Sequence, residues 1–167
     1  MTDSNKKTTV YKNPWFQVER EGNYHYVKEN GANNGAVILA KSKRGFIFVK
    51  AYRHANQGLF IEAPRGYGEP GETPRQCAAR ELEEETGIHV SAQDLIALGT
   101  LQPNSAILAS SVTAFYIDLG GKDLTPQPGH EVDGLVFIPE AEIKTAICSG
   151  RIVDGFSLSA FALLWAR

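Results

Sequence analysis

Cysteine is scarce here: Cys77 and Cys148 are the only two in 167 residues. Their separation matches neither a metal finger nor a redox pair, which excludes a disulfide scaffold or a cysteine cage as the basis of the fold. Two unpaired thiols suit a reducing compartment, so a cytoplasmic location is expected. No long apolar run is present either. The most apolar late stretch, 156–166, is too short and too interrupted by serines to span a bilayer. Met1-Thr2-Asp3-Ser4-Asn5-Lys6-Lys7 leads into no apolar segment, so a secretory signal is not expected. An excess of one charge is also missing, with 17 Lys and Arg against 19 Asp and Glu. A protein that grips phosphate backbones shows a basic stripe, so neither a nucleic-acid nor a membrane partner is expected.

A hydrophobic content of 43% and a charged content of 22% are those of an ordinary globular chain. At this length one domain buries about 68–70% of its unfolded surface and needs no staples. The first thirty-odd residues read as a strand-rich arm, with Phe16–Arg20 alternating, a turn at Glu21-Gly22-Asn23, and β-formers over Tyr24–Lys28. Turn residues crowd 30–35, and two stronger strands, 36–40 and 46–52, follow as a hairpin. Residues 62–72 read as a Gly/Pro-rich loop. A helix then begins at Thr73, with Pro74 at its first position and Gln76 completing a capping box, and ends at Gly87. Ala78 and Leu82, four apart, form its core-facing stripe. Strands are expected at 96–101, 112–119 and 132–138, a helix from Pro139 towards Ser149, and another from an Asp154 N-cap through Ala166. Mixed elements in this order favour an α/β sandwich with helices covering a sheet.

The helix after Thr73 carries Arg80-Glu81-Leu82-Glu83-Glu84-Glu85. Glu81, Glu84 and Glu85 stand three and four apart and share one face. Like charges at that spacing cost about 0.2–0.5 kcal/mol per pair. A solvated acidic face accounts for such a pattern, and so does a site for a hard divalent cation that relieves the repulsion. The wider spacing bears on the choice. The chain reads Gly66, five residues, Glu72, seven residues, Arg80-Glu81-Leu82, one residue, Glu84-Glu85, one residue, Gly87-Ile88. This resembles the Nudix hydrolase signature at every defined position, a coincidence of roughly one in a million at average residue usage.

The resemblance implies a Nudix-type α/β/α sandwich with a mixed sheet over 35–167, preceded by the strand-rich arm at 1–34. It implies a loop and helix that bind Mg²⁺ or Mn²⁺ and cleave a nucleoside diphosphate joined to another group. Glu81, Glu84 and Glu85 fall on the metal-ligand positions, and the carbonyl of Arg65 where the family often adds a further oxygen. Glu72 and Arg80 fall on an ion pair that braces the loop, Gly66 on the close turn beside the metal, and Gly87 on the helix end. Pro103, fifteen residues beyond Ile88, and the run Tyr52-Arg53 followed by Glu62-Ala63-Pro64-Arg65-Gly66 resemble the ADP-ribose pyrophosphatase branch. By that likeness Arg53 contacts a phosphate, Glu62 the nucleoside or ribose end, and Pro103 bears on substrate choice; read alone, Arg53 is equally a surface charge at a strand end. Arg65 departs from the small residue usual before the glycine, adding a cation that contacts phosphate or shifts sugar preference. The general base falls to Glu131 on a late loop, with Asp133 in reserve and Glu84 if the base comes from the helix. His130 reads as a loop neighbour and not a catalyst, and His25, His54 and His89 show no ligand spacing.

The expected activity is hydrolysis of ADP-ribose or a related nucleoside diphosphate sugar to a nucleoside monophosphate and a sugar phosphate. The rivals are GDP-mannose, another ADP-sugar or a dinucleoside polyphosphate as substrate, or a module that senses nucleotides without turnover. The branch commonly pairs its N-terminal strands across a two-fold axis, which implies a homodimer with Trp15 or Phe16 near the interface or pocket.

Overall fold

A computed structural model describes residues 6–120 and 124–167. Three strands, β1 (Thr8–Lys12), β2 (Phe16–Glu21) and β3 (Tyr24–Glu29), form an antiparallel sheet of their own. This is the expected arm, with β1 added to the two strands the alternation indicates. The arm is tied to the rest of the chain through Val27, whose N–H donates to the Ile107 carbonyl at 2.7 Å and whose carbonyl accepts from the Ala109 N–H at 2.8 Å.

The larger sheet is mixed. It contains β4 (Ala36–Ser42), β5 (Gly45–Arg53), β6 (Gly58–Glu62), β7 (Arg65–Gly66), β8 (Ile96–Leu101), β9 (Val112–Asp118) and β10 (Gly134–Ile138). The main order is β10-β5-β4-β9-β8, with β6 on β5 and β7 on β4. Only β4 and β9 run parallel. Alternation along β4 decides what each face meets. Ala36, Ile38 and Ala40 pack with Cys77, Ala78 and Leu82 of α1 (Pro74–Thr86). Val37 and Leu39 face a cluster with α2 (Ile143–Cys148) and α3 (Gly155–Trp165), which includes Ile143, Ala160 and Phe161. Helices therefore cover both faces, the sandwich the sequence implies. Full burial of one side chain such as Phe161 contributes about 1.5–3 kcal/mol.

The detail that makes room for a site lies between β4 and β5. They are joined by the two-residue turn Lys43-Arg44 and pair only near it, from Ser42↔Gly45 to Ala40↔Ile47. Beyond that point they splay. The end of β5 pairs with β6 from Val49↔Glu62 to Arg53↔Gly58, while the start of β4 pairs with β7 through Ala36↔Gly66 and Val37↔Arg65. The expected loop 62–72 is corrected accordingly: its first residues belong to β6 and β7, and the irregular part begins after Gly66. The helix expected from Pro139 starts instead as a 3-10 turn, Glu140–Glu142, before α2. The strand expected from Val132 begins at Gly134, because Asp133 caps β5: its N–H donates to the Lys50 carbonyl at 2.8 Å, and its Oδ2 accepts from the Tyr52 N–H at 3.1 Å.

Candidate active site

The α1 helix starts as its sequence requires. Thr73 Oγ1 accepts from the Gln76 N–H at 3.3 Å and Gln76 Oε1 accepts from the Thr73 N–H at 3.0 Å. It ends at Gly87, whose N–H donates to the Glu83 carbonyl at 2.8 Å. With Ala78 and Leu82 fixed against the sheet, Glu81, Glu84 and Glu85 are turned to a cleft of about 600 Å³. Arg53 and Arg65 contribute to its wall, as do Trp15, Tyr67, Arg80 and Glu131.

Arg80 organises the acidic side of this cleft. Its Nε and Nη2 donate to the two oxygens of Glu72, both at 3.0 Å, and Nη2 also donates to the Tyr67 carbonyl at 2.8 Å. Its Nη1 lies between Glu81 Oε1, at 2.7 Å, and Glu84 Oε2, at 2.8 Å. These carboxylates, Glu72 first, hold the guanidinium charged well above its ordinary range. Glu72 is itself held below the usual carboxylate range, chiefly by Arg80. Its two-oxygen grip braces the loop, as does the bond its Oε2 accepts from the Glu69 N–H at 2.8 Å. Glu72→Ala is therefore expected to lower turnover by less than about tenfold, or about 1.4 kcal/mol of barrier; steady-state kinetics beside Glu84→Gln check the order.

Two of the acids are buried at a cost. Burial pushes Glu85 up to about 8, although the Arg65 N–H donates to its Oε2 at 3.1 Å. Burial also raises Glu81, against the pull of Arg80. Gly66 lies so close that a Cβ there would collide with the Glu81 carboxylate, so only glycine leaves that side chain its place. Among the described residues no group of three or more His, Cys, Asp or Glu side chains is gathered tightly enough to hold an ion; Arg80 Nη1 instead bridges Glu81 and Glu84. The donor set nevertheless fits a hard divalent cation: the available atoms are carboxylate oxygens, and burial pushes one of the carboxyls, Glu85, towards its neutral form, a tendency that a bound cation opposes.

The opposite wall is cationic. Glu62 is 2% exposed and is shared by two guanidiniums. Arg53 donates to it through Nε at 2.8 Å and Nη2 at 2.5 Å, and Arg65 through Nε at 3.2 Å, with Arg65 Nη2 in ion-pair range at 3.0 Å. Burial alone would raise the Glu62 pKa, but the Arg53 bonds and the charge of Arg65 hold it below the usual range. Arg65 also lies over the Phe156 ring at 4.4 Å. Two cations on one anion leave a net positive wall facing the acids of α1.

A family model described as "NUDIX domain" matches residues 30–154. The chain belongs to the NUDIX domain family. Among curated relatives, the methanol dehydrogenase activator of Bacillus methanolicus is 29% identical over 77% of this chain and 70% of its own length. The ADP-ribose pyrophosphatase of Bacillus subtilis is 35% identical over 58% of this chain, and the ADP-sugar pyrophosphatase of Mus musculus is 30% identical over 60%. The matched segments span only 43% and 48% of those two enzymes. A solved structure titled as an ADP compounds hydrolase superposes with a TM-score of 0.75 at 22% identity, over 96% of this chain and 90% of that one. That likeness is one of fold.

Within this NUDIX domain the structure brings Arg53, Arg65, Gly66, Arg80, Glu81, Glu84, Glu85 and Glu131 to one cleft. Glu72 pairs with Arg80 and Gly87 closes α1. Trp15 joins the lining and is 70% exposed. Pro103 stands in the turn after β8 and is not among the residues lining the cleft. The oxygens of Glu62 are taken up by Arg53 and Arg65, so within this chain it holds the two cations in place. Asp133 is committed to capping β5. His130 lines the space beside Glu81, Glu84, Glu85 and Glu131, and His89 pairs with Glu83 at the surface. Cys77 is buried beneath Gly66 and Cys148 is exposed, both as free thiols. Tyr67 is a site residue that spacing does not reveal. It lines the cleft, and its hydroxyl donates to Glu29 of the arm at 2.5 Å, while Glu29 also accepts from Ser110 Oγ at 2.6 Å. No helix among the described residues is long and apolar enough to cross a membrane.

Proposed function

We propose that this NUDIX protein is a divalent-metal-dependent hydrolase that splits the pyrophosphate link of ADP-ribose or a related nucleoside diphosphate sugar, releasing a nucleoside monophosphate and a sugar phosphate. The observation that carries this reading is one cleft with three carboxylates of a single helix on one wall and the Arg53–Arg65 pair on the other. A diphosphate offers negative charge to both walls, directly to the arginines and through cations to the acids. The names of the ADP-ribose and ADP-sugar pyrophosphatase relatives point to the same substrate class.

Glu81, Glu84 and Glu85 would hold Mg²⁺ or Mn²⁺, which supplies charge neutralisation at the phosphates and a more acidic water. Arg53 and Arg65 orient the diphosphate, and Glu62 keeps both guanidiniums from swinging away. Glu131 lines the same cleft as the three acids and is the proposed acceptor for the proton of the attacking water, with Glu84 as the alternative. The arm, with Val10, Tyr11, Trp15 and Tyr24 exposed, is the proposed face of a homodimer, and light scattering at micromolar concentration checks for twice the monomer mass. Magnesium-dependent release of AMP and ribose 5-phosphate from ADP-ribose, within a panel that includes GDP-mannose and a dinucleoside polyphosphate and is run in ¹⁸O-water, tests the reading. A protein that leaves the whole panel uncut overturns it.

Glu85 gives an independent measurement. The folded chain binds its proton more tightly than the unfolded chain does, so its contribution to stability is full below about pH 4.5 and is lost as pH rises towards about 8. The melting temperature of the metal-free protein is expected to fall across that window, and less so in Glu85→Gln. Added Mg²⁺ favours the ionised carboxylate and is expected to recover more stability near pH 8 than near pH 6. Equal recovery at both pH values counts against Glu85 as a ligand.

A further inference from the structure

A second cleft, of about 510 Å³, shares Arg53 and Arg65 with the carboxylate cleft but contains none of the acids of α1. The two guanidiniums are thus the boundary between an acidic compartment and one of different chemistry. Tyr52, His54 and Phe60 give it three aromatic rings, Asn56 an amide that both donates and accepts, and Asp154 a carboxylate at the start of α3. Glu62 engages Nε and Nη2 of Arg53 and Nε of Arg65, which holds both guanidiniums at the boundary, where their charge can meet an anion.

The rim is built with care. Gln57 has φ of 50°, the one positive value for a non-glycine among the described residues. A residue with a Cβ adopts this region only where its surroundings enforce it, and such residues cluster where ligands are held. Here the Gln57 side chain donates to the His54 carbonyl at 2.5 Å and accepts from the Tyr52 hydroxyl at 3.3 Å. The Tyr52 and His54 rings meet edge to face, with centroids 5.1 Å apart. Tyr52 is pinned from the other side by the bond from its N–H to Asp133. A strained turn thus fixes two rings that remain open to solvent, Tyr52 being 44% exposed.

We infer that this cleft is a subsite for the nucleobase end of a nucleoside phosphate, with the Tyr52 ring as the stacking face, His54 standing edge-on to it, and the Arg53–Arg65 boundary taking the attached phosphate. The assignment rests on the hydrolase reading for the direction in which a substrate lies: base in the aromatic compartment, scissile link over the acids. A planar base fits there because the open face of the Tyr52 ring lies in the same cleft as the Asn56 amide, which can both donate to and accept from its edge.

The test is binding of AMP and of ribose 5-phosphate to the full chain without metal, by calorimetry, for wild type, Tyr52→Ala, Tyr52→Phe and Trp15→Ala. Loss of one stacking ring is expected to weaken AMP by roughly tenfold in Tyr52→Ala while leaving ribose 5-phosphate within about twofold. Tyr52→Phe keeps the ring and is expected to bind AMP nearly as wild type, which separates stacking from a folding defect. AMP bound equally by wild type and Tyr52→Ala, or weakened by Trp15→Ala in place of Tyr52→Ala, overturns the subsite, since the base then lies elsewhere. Cleavage of ADP-ribose by the wild type keeps the two readings apart. A wild type that cuts while Tyr52→Ala binds AMP unchanged sinks the subsite alone. One that binds AMP through Tyr52 and cuts nothing upholds the subsite and sinks the hydrolase.

Discussion

Glu85→Gln is expected to lower magnesium-dependent cleavage of ADP-ribose by about a hundred- to a thousand-fold, the scale seen when one preorganised charge-stabilising group is removed. The amide keeps the size of the side chain and can still accept from the Arg65 N–H, so the loop at β7 is expected to stay in place. What disappears is a negative charge that burial already makes expensive. The variant should therefore lose activity without losing stability, and in the metal-free protein it should melt higher than wild type at about pH 8. Glu84→Gln is expected to share the loss of turnover with a smaller effect on melting, since Glu84 is exposed at the rim and bonded only to Arg80. Turnover, circular dichroism and melting measured together decide the matter: full activity in either variant removes that residue from the metal site.

Glu62→Ala acts through the opposite wall and carries the second large effect. Removing one member of a buried ion pair typically costs about 3–5 kcal/mol, because the partner's charge is left behind. Here Arg53 keeps 37% and Arg65 20% of its side chain in solvent, so about 2 kcal/mol is the better expectation, or about 4–8 °C in melting temperature. The two guanidiniums, now repelling each other with nothing between them, are also expected to lose their grip on the diphosphate and raise KM. Because the folded state holds Glu62 below its ordinary pKa, the contribution it makes is present above about pH 4.5 and lost as pH falls through the lowered value. The gap between wild type and variant should thus narrow in acid. A gap that is unchanged at about pH 3 argues that packing, not charge, sets the loss.

Local chemistry made α1 legible: Thr73, Pro74, Gln76 and Gly87 each satisfy a backbone need within four residues of themselves, and the structure places all four as the spacing requires. The acids follow, because a helix with known ends and a known buried stripe leaves no freedom in where Glu81, Glu84 and Glu85 point. The central strands were legible for another reason: 36–40 and 46–49 are unbroken apolar runs, the pattern of strands covered on both faces. What escaped was decided by distant partners. The two-residue β7 exists only because β4 and β5 diverge, and nothing in Arg65-Gly66 itself announces a strand. Glu62 reads as an acid near a proline; that it neutralises guanidiniums on both sides depends on β5 and β6 pairing in register. The aromatic cleft gathers Tyr52, His54 and Phe60 with Val153 and Asp154 from a hundred residues later, and no spacing rule spans that interval.

The late loop hangs from the last turn of α1. The Gln127 N–H donates to the Thr86 carbonyl at 2.9 Å and the Gly129 N–H to the Glu85 carbonyl at 3.1 Å, and any Cβ on Gly129 would strike the Glu84 backbone. Glu131 is therefore two residues from an attachment to the very peptide that carries Glu85. The proposed metal ligands and the proposed proton acceptor thus share one mounting, the last turn of α1. Swinging that loop outward would strip two carbonyls of their donors, which makes it a fixture and not a lid.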